Sequence, residues 1–234
     1  MKPIGLIGGI SAESTKIYYD LLNAHVRERM GGQHTAKLLF ATLDYGEMYG
    51  HYQNENWAAF SGEITSASLM LKNGGAEALA IMSGTGHLAA NAVAEATGMP
   101  VIHMLDSLTA AMNAQDIKRP LLFGTPWVMS GPFFQSELQK RYSGELMTPS
   151  AADRDVVGHV IFEELVNGIV DDKSKSKMIK LVNSYAKQGA DAVILGCTEL
   201  CMILEAGDCD IPVLSNTHIH AAAIDKYIHS DIAL

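Results

Sequence analysis

The feature that most constrains the fold of this 234-residue chain is an internal repeat. Residues 75–85 align without a gap with residues 189–199, at an offset of 114 residues. Each copy has the pattern of a helix end, a buried strand and a turn, and residues 99–102 later match 211–214. This spacing predicts two related α/β units rather than a solenoid. The alternative is that any two buried strands of an α/β protein look alike.

Short apolar runs alternate with amphipathic stretches along the whole chain. The predicted strands are Ile4–Ile7, Lys37–Thr42, Ala78–Met82, Val101–His103, Leu121–Phe123, Ala192–Leu195 and Pro212–Leu214. The predicted helices include Ser14–Met30, Ala58–Asn73, Leu88–Thr97 and Lys175–Gln188. Because strands joined through such helices need crossover connections, we predict an α/β fold with short, mostly parallel sheets flanked by helices. With the repeat, this gives two pseudo-symmetric domains, expected at 1–98 plus 214–234 and at 99–213.

Composition and charge exclude several classes of protein. With 48% hydrophobic and 18% charged residues, the chain has the composition of a soluble globular protein and not of a disordered or collagen-like one. The formal net charge of −9 repels phosphate groups, so we expect no nucleic-acid partner and no membrane partner. The apolar run before Gly8 is too short for a signal peptide, and a cytoplasmic protein is expected.

Cysteine, histidine and glycine patterns give no sign of a metal or a nucleotide. Three cysteines are too few for a disulfide framework, which favours a reduced cytosolic setting. Around His218 and His220 no cysteine or carboxylate stands at metal-ligand spacing. The Gly84-Thr85-Gly86 segment lacks the third glycine of a dinucleotide loop, and no P-loop lysine follows a glycine cluster. We therefore expect no cofactor.

Small polar residues follow four predicted strands, where ligands of parallel sheets bind. These turns are Gly8–Ser11, Ser83–Gly86, Gly124–Thr125 and Gly196–Thr198. Each precedes a predicted helix, whose free N–H groups and positive dipole end suit a carboxylate or phosphate. The candidate substrate-binding residues are Ser11, Gly84, Thr85, Thr125 and Thr198.

Ser83 and Cys197 occupy equivalent places in the repeat, so units facing each other across a cleft would put them on opposite sides of one ligand. A thiol at a helix N-terminus is expected to have a depressed pKa and to be partly thiolate near neutral pH. Such a thiolate can take a proton from carbon. The Ser83 hydroxyl is much less acidic and would donate through a helper or a water. His87 and Glu199, close by in sequence, are possible helpers.

Over nearly its whole length the chain resembles the aspartate/glutamate racemase family, within the larger aspartate, glutamate and hydantoin racemase group. The matching blocks are Ile4–Thr15 with Tyr18-Tyr19, Thr85 with His87, Gly196–Glu199 and Ile219–Ala221. The resemblance implies enzymes that work without a cofactor, with the substrate in a cleft between two pseudo-symmetric domains. One cysteine on each side acts as base or acid, so that the Cα proton leaves one face and returns on the other. A homodimer is expected by the same analogy.

This chain departs from the family pattern at the acid–base positions. Cys197 corresponds to the second-half cysteine, whereas the first-half position is Ser83. With one thiol, proton removal is expected to be much better from one enantiomer than from the other. Gly84 stands where the family usually has Asn, which concerns the substrate more than the type of reaction.

The chain departs from the family pattern at three further places. Ser215-Asn216 stands where an Asp followed by Ser or Thr is common. Met48 and Glu164 fall near the places of basic residues that some members use for the distal carboxylate. The resemblance therefore leaves the choice of amino acid open.

Three hypotheses of function follow. The first is an amino-acid racemase, independent of pyridoxal phosphate, that interconverts L- and D-aspartate or glutamate by deprotonating and reprotonating Cα, with Cys197 opposite Ser83. The second is a one-cysteine, decarboxylase-like relative, which the small Gly84 favours and which would release CO2 from malonate-type acids. The third is a catalytically weak or silent homologue that binds an amino acid or dicarboxylate and leaves it unchanged.

Overall fold

The computed structural model describes residues 1–230, apart from the side chain of Pro132, and separates them into two compact units. Unit 1 comprises residues 1–103 and the segment that begins at His220, and unit 2 runs from Met104 to Ile219. Over residues 1–230, no helix has the length and apolar character needed to cross a membrane. The domain bounds stated above remain a prediction.

Unit 1 is built on a three-stranded parallel sheet. Its strands are β1 (Ile4–Gly8), β2 (Leu38–Thr42) and β3 (Ala78–Ile81), in the order β2-β1-β3. All residues of β1 and β3 are buried, as expected for parallel strands covered by helices. The helices of this part of the chain are α1 (Ala12–Met30), α2 (Tyr45–Gln53), α3 (Trp57–Asn73), the 3-10 turn Thr85–Ala89 and α4 (Ala90–Thr97).

Unit 2 repeats this plan with a second three-stranded parallel sheet. Its helices begin with α5 (Met104–Ala114), α6 (Pro126–Ser130), α7 (Pro132–Gln139), α8 (Ala151–His159) and α9 (Asp172–Ala186). Short turns at Val160–Glu164 (π), Leu165–Asn167 (3-10) and Thr198–Met202 (3-10) complete the set, and α10 (Asn216–Ile228) begins in this unit. The strands are β4 (Pro120–Phe123), β5 (Ala192–Leu195) and β6 (Val213–Ser215), in the order β4-β5-β6.

The two sheets share the pattern that the internal repeat predicts. β3 and β5 are four-residue strands, fully buried, and a five-residue 3-10 turn follows each of them closely. β3 pairs in parallel with β1, as β5 pairs with β4. The predicted fold class, α/β with two small parallel sheets flanked by helices, is confirmed.

One predicted strand is wrong. In the segment Val101–His103 only Val101 forms a bridge, to Leu79 of β3. The N–H of Leu79 donates to Pro100 at 2.9 Å, and its carbonyl accepts from Ile102 at 2.8 Å. Because α5 begins at residue 104, the chain turns into a helix before a ladder can extend.

Candidate active site

The turn after β1 brings Ser11 to the start of α1. Gly9 has a φ of +78°, and a Cβ there would lie 2.0 Å from the carbonyl oxygen of Leu43, so this tight turn requires glycine. The buried Ser11 Oγ accepts a hydrogen bond of 3.2 Å from the N–H of Ser14 and caps α1. Ser14 Oγ in turn donates to the carbonyl of Met82, which ties this turn to the end of β3.

The second turn of unit 1 holds Ser83, which is 5% exposed. Its Oγ accepts a hydrogen bond of 3.1 Å from the N–H of Gly86. Its carbonyl oxygen lies 2.8 Å from His87 Nδ1, which must carry the proton because a carbonyl only accepts. His87 therefore positions the backbone of the turn, which also contains Gly84 and Thr85.

Behind this turn, three imidazoles and a tyrosine form a cluster that sequence reasoning missed. The ring centroid of His87 lies 4.6 Å from that of His103 and 5.5 Å from that of His220. His220 Nε2 donates to the Ile102 carbonyl at 2.8 Å, so its Nδ1 accepts from the Tyr18 hydroxyl at 2.9 Å. Burial lowers the pKa of His87 well below its ordinary value and that of His220 from 6.5 to about 4. Both rings are neutral at pH 7.

The buried His220 makes the stability of the protein depend on pH. Between its ordinary pKa of 6.5 and its folded pKa of about 4, the unfolded chain binds a proton that the folded protein does not. The stability that His220 contributes is fully present above pH 6.5. As the pH falls from 7.5 to 5, protonation of this residue in the unfolded chain lowers the free energy of unfolding by about 2 kcal/mol. We expect His220→Gln to have a free energy of unfolding that falls less over this range in urea titrations. The control is His34→Gln, which replaces an exposed histidine and should lose stability on acidification as the wild type does. If the free energy of unfolding falls equally with pH in all three proteins, His220 is not the source of the pH dependence.

In unit 2, Cys197 precedes the 3-10 turn Thr198–Met202 and is 8% exposed. Its Sγ donates a hydrogen bond of 2.9 Å to Glu199 Oε2. Thr198 Oγ1 donates to the same oxygen at 3.0 Å. Glu199 is itself only 2% exposed. A buried carboxylate thus accepts hydrogen bonds from the thiol and from the neighbouring hydroxyl.

The prediction of a depressed thiol pKa is wrong for this ligand-free structure. Burial raises the pKa of Cys197 well above its ordinary value, and the charge and hydrogen bond of Glu199 raise it further. The predicted helix dipole does not offset these effects, because only a five-residue 3-10 turn follows the cysteine. The thiol is protonated at neutral pH and needs a partner to take its proton.

Thr125 reaches the same edge of the second sheet. Its Oγ1 accepts a hydrogen bond of 3.3 Å from the N–H of Val128 and caps α6. β4 and β5 pair with Phe123 opposite Leu195, so the residues that follow, Thr125 and Cys197, stand at the same strand ends. The candidate carboxylate ligand and the thiol therefore lie in the same region of unit 2.

The structure groups the predicted site residues by unit. Unit 1 brings together Ser11, Ser83, Gly84, Thr85 and His87, and unit 2 brings together Thr125, Cys197, Thr198 and Glu199. The pairing of Ser83 with Cys197 remains a prediction.

The other residues singled out in the sequence have structural surroundings of their own. Cys201 and Cys209 form no disulfide within residues 1–230, and burial raises the pKa of each thiol to about 11. Met48 is buried, and Glu164 Oε1 accepts a hydrogen bond of 2.8 Å from the hydroxyl of Ser174. Within residues 1–230, no group of three or more His, Cys, Asp or Glu side chains is arranged to hold a metal ion.

Comparison with known proteins gives one consistent relationship. Residues 7–224 match the family described as Asp/Glu/Hydantoin racemase. A candidate Asp/Glu racemase from Yersinia pestis is 33% identical, with a TM-score of 0.88 over 97% of this chain and 99% of that one. An aspartate racemase homologue from Pyrococcus horikoshii OT3 is 28% identical, with a TM-score of 0.85 over 97% and 99%. The aspartate racemase of Picrophilus torridus, at 21% identity, shares the fold with a TM-score of 0.81 over 97% and 94%. This chain therefore belongs to the Asp/Glu/hydantoin racemase family.

Proposed function

We propose that this protein is an amino-acid racemase that interconverts L- and D-aspartate or glutamate without a cofactor. The observation that carries the proposal is the hydrogen bond from the Cys197 thiol to the buried Glu199 carboxylate, 2.9 Å long. Membership of a racemase family and the similarity to the Yersinia and Pyrococcus proteins support it. The cytoplasmic location and the homodimer expected above belong to the same proposal.

The reaction begins with proton transfer within the Cys197 turn. Glu199 takes the thiol proton, and the resulting thiolate takes the Cα proton of the substrate, which leaves a carbanion conjugated with the α-carboxylate. Thr198 donates to the same carboxylate oxygen as the thiol and holds Glu199 in place. Because the protein has a net charge of −9, local donors must hold the substrate carboxylates. Ser11, Gly84, Thr85, Thr125 and Thr198 are the proposed binding residues.

The product forms when the opposite face of the carbanion receives a proton. We assign this step to a water molecule bound by the Ser83 hydroxyl, because serine alone is too weak an acid. The water gives its proton to Cα, and the hydroxide that remains is neutralised through solvent by the proton that Glu199 released. His87 acts as a positioning residue, since its contact is with the Ser83 backbone.

Glu199→Gln distinguishes a proton acceptor from a mere electrostatic neighbour. If Glu199 takes the thiol proton, the amide variant should lose about a hundredfold in kcat at pH 7, within the range of general-base contributions. Loss of the negative charge also lowers the thiol pKa, so the rate of the variant should recover as pH rises. The measurement is the pH profile of racemisation from pH 6 to 10.

The exposed Glu205→Gln, in the same unit, is the control and should keep the wild-type profile. A Glu199→Gln variant that is faster than the wild type at pH 7 would contradict the proton transfer, since it would mean that the carboxylate only raises the thiol pKa.

Hydrogen exchange at Cα tests the function directly. The wild-type protein is incubated with L- and D-aspartate and with L- and D-glutamate in D2O, and deuterium at Cα is followed by NMR, with chiral chromatography for inversion. We expect exchange and inversion with at least one of these pairs. No exchange with any of them would end the proposal.

A second candidate, a homologue that binds an amino acid without converting it, is favoured by the raised pKa of Cys197. A ligand that raises the melting temperature and stays unchanged after long incubation would support it.

A further inference from the structure

Asn216 has an unusual environment for a buried polar residue. It is the first residue of α10, directly after β6, and its exposed fraction is 0%. Neither its Nδ2 nor its Oδ1 has a hydrogen-bond partner among residues 1–230. In that part of the chain it is the one side chain with two such buried atoms. Buried amides are almost always paired, so this one calls for a partner that residues 1–230 do not supply.

The position of Asn216 connects it to the proposed reaction. β5 and β6 pair with Leu195 opposite Ser215, so Asn216 follows level with Gly196, one residue before Cys197. The next residue, Thr217, donates a hydrogen bond of 3.0 Å to the Thr198 carbonyl. The first turn of α10 is thereby attached to the turn that carries the thiol.

The order of the second sheet places polar groups on both sides of the thiol. The central strand β5 leads to Cys197, β4 leads to Thr125, and β6 leads to Asn216. All three residues are less than a tenth exposed. Asn216 is therefore buried like the candidate site residues beside it at this edge of the sheet. An amide also adds no charge that would oppose formation of the thiolate.

We propose that Asn216 is a substrate-binding residue of unit 2. Its side chain holds the α-carboxylate and α-ammonium groups of the amino acid beside Cys197. The inference rests on the racemase function proposed above. Nδ2 has two hydrogens to donate to a carboxylate, and Oδ1 can accept from an ammonium group. One neutral amide thus matches both charged groups that every α-amino acid carries at Cα.

Asn216→Ala separates binding from structure. We expect KM for the preferred substrate to rise about tenfold, equivalent to about 1.4 kcal/mol, while kcat falls less than threefold. The melting temperature without ligand should equal or exceed that of the wild type, because the variant no longer buries an unpaired amide. Asn216→Ser keeps one hydroxyl donor, should recover part of the affinity, and provides the test if the alanine variant does not fold.

Asn23 offers a matched control in unit 1. It is also buried, but its Nδ2 donates to the Tyr19 carbonyl at 2.9 Å and its Oδ1 accepts from the Ala36 N–H at 3.0 Å. Asn23→Ala should therefore lower the melting temperature by a few degrees and leave KM unchanged.

Two adverse outcomes can be told apart. If the wild type exchanges Cα hydrogen and the Asn216 variants keep its KM while melting at lower temperature, the amide is structural and this inference is overturned alone. If the wild type neither exchanges Cα hydrogen nor is stabilised by any amino acid, the proposed function is overturned together with it.

Discussion

Replacing Cys197 by alanine is expected to reduce Cα hydrogen exchange at least about a hundredfold for the enantiomer whose Cα hydrogen faces this residue. In the proposed mechanism the variant lacks the group that takes the Cα proton, and general bases contribute about 10²–10⁴-fold. The substitution removes one buried atom, the sulfur, which donates a hydrogen bond to Glu199, so the variant should still fold. The measurement is deuterium incorporation in D2O, followed by NMR.

Cys201→Ala is the matched control, because Cys201 lies one turn further along and its thiol donates to the Thr198 backbone carbonyl. It should retain exchange within a factor of about three. A Cys197→Ala variant that exchanges as fast as the wild type would remove the base from the mechanism, and with it the role of Glu199.

Replacing Ser83 by cysteine is expected to speed inversion at least about tenfold. A thiol is a far stronger acid than a serine hydroxyl, so it can donate to the carbanion directly and no longer depends on a bound water. Because the two enantiomers are equally stable, kcat/KM must be equal in the two directions, whatever the asymmetry of the groups. The asymmetry of the wild type therefore appears as Cα exchange that is faster than inversion for one enantiomer.

The test compares the rate of Cα hydrogen exchange with the rate of inversion in the same protein, so each variant provides its own reference. In Ser83→Cys the two rates should approach each other, and in Ser83→Ala inversion should fall while exchange of the enantiomer that faces Cys197 continues. If neither variant changes the ratio of exchange to inversion, residue 83 does not take part in the reprotonation.

Much of the fold was predictable because it is encoded locally and then repeated. The segments 75–85 and 189–199 contain the strands β3 and β5, four residues each, as the gapless alignment required. The prediction of a strand at Val101–His103 was wrong because helix α5 starts at residue 104. The sequence does not show whether a strand or the helix that follows it takes up such a short segment.

Candidate chemistry was also predictable, since ligands of parallel sheets bind where strands end and the small polar residues there are visible in the sequence. Cys197, Thr198 and Glu199 lie together for this reason, as do Ser83 and His87. Their protonation was not predictable. The expected thiolate at Cys197 is a protonated thiol in the free protein, because burial and the Glu199 carboxylate outweigh a short 3-10 turn.

The sequence by itself determined the α/β architecture, its repetition and the turns at which chemistry can occur. These features depend on residues that are close together in the sequence, so they can be read from its periodicity and its repeat. Tertiary structure alone decided the state of the groups. Tyr18 meets His220 across 202 residues, and the proton positions on His220 follow from that contact and from Ile102. The unpaired amide of Asn216 is likewise a property of its surroundings. Burial and partner geometry set the free energy of a charge or a hydrogen bond, and both exist only once distant segments have packed.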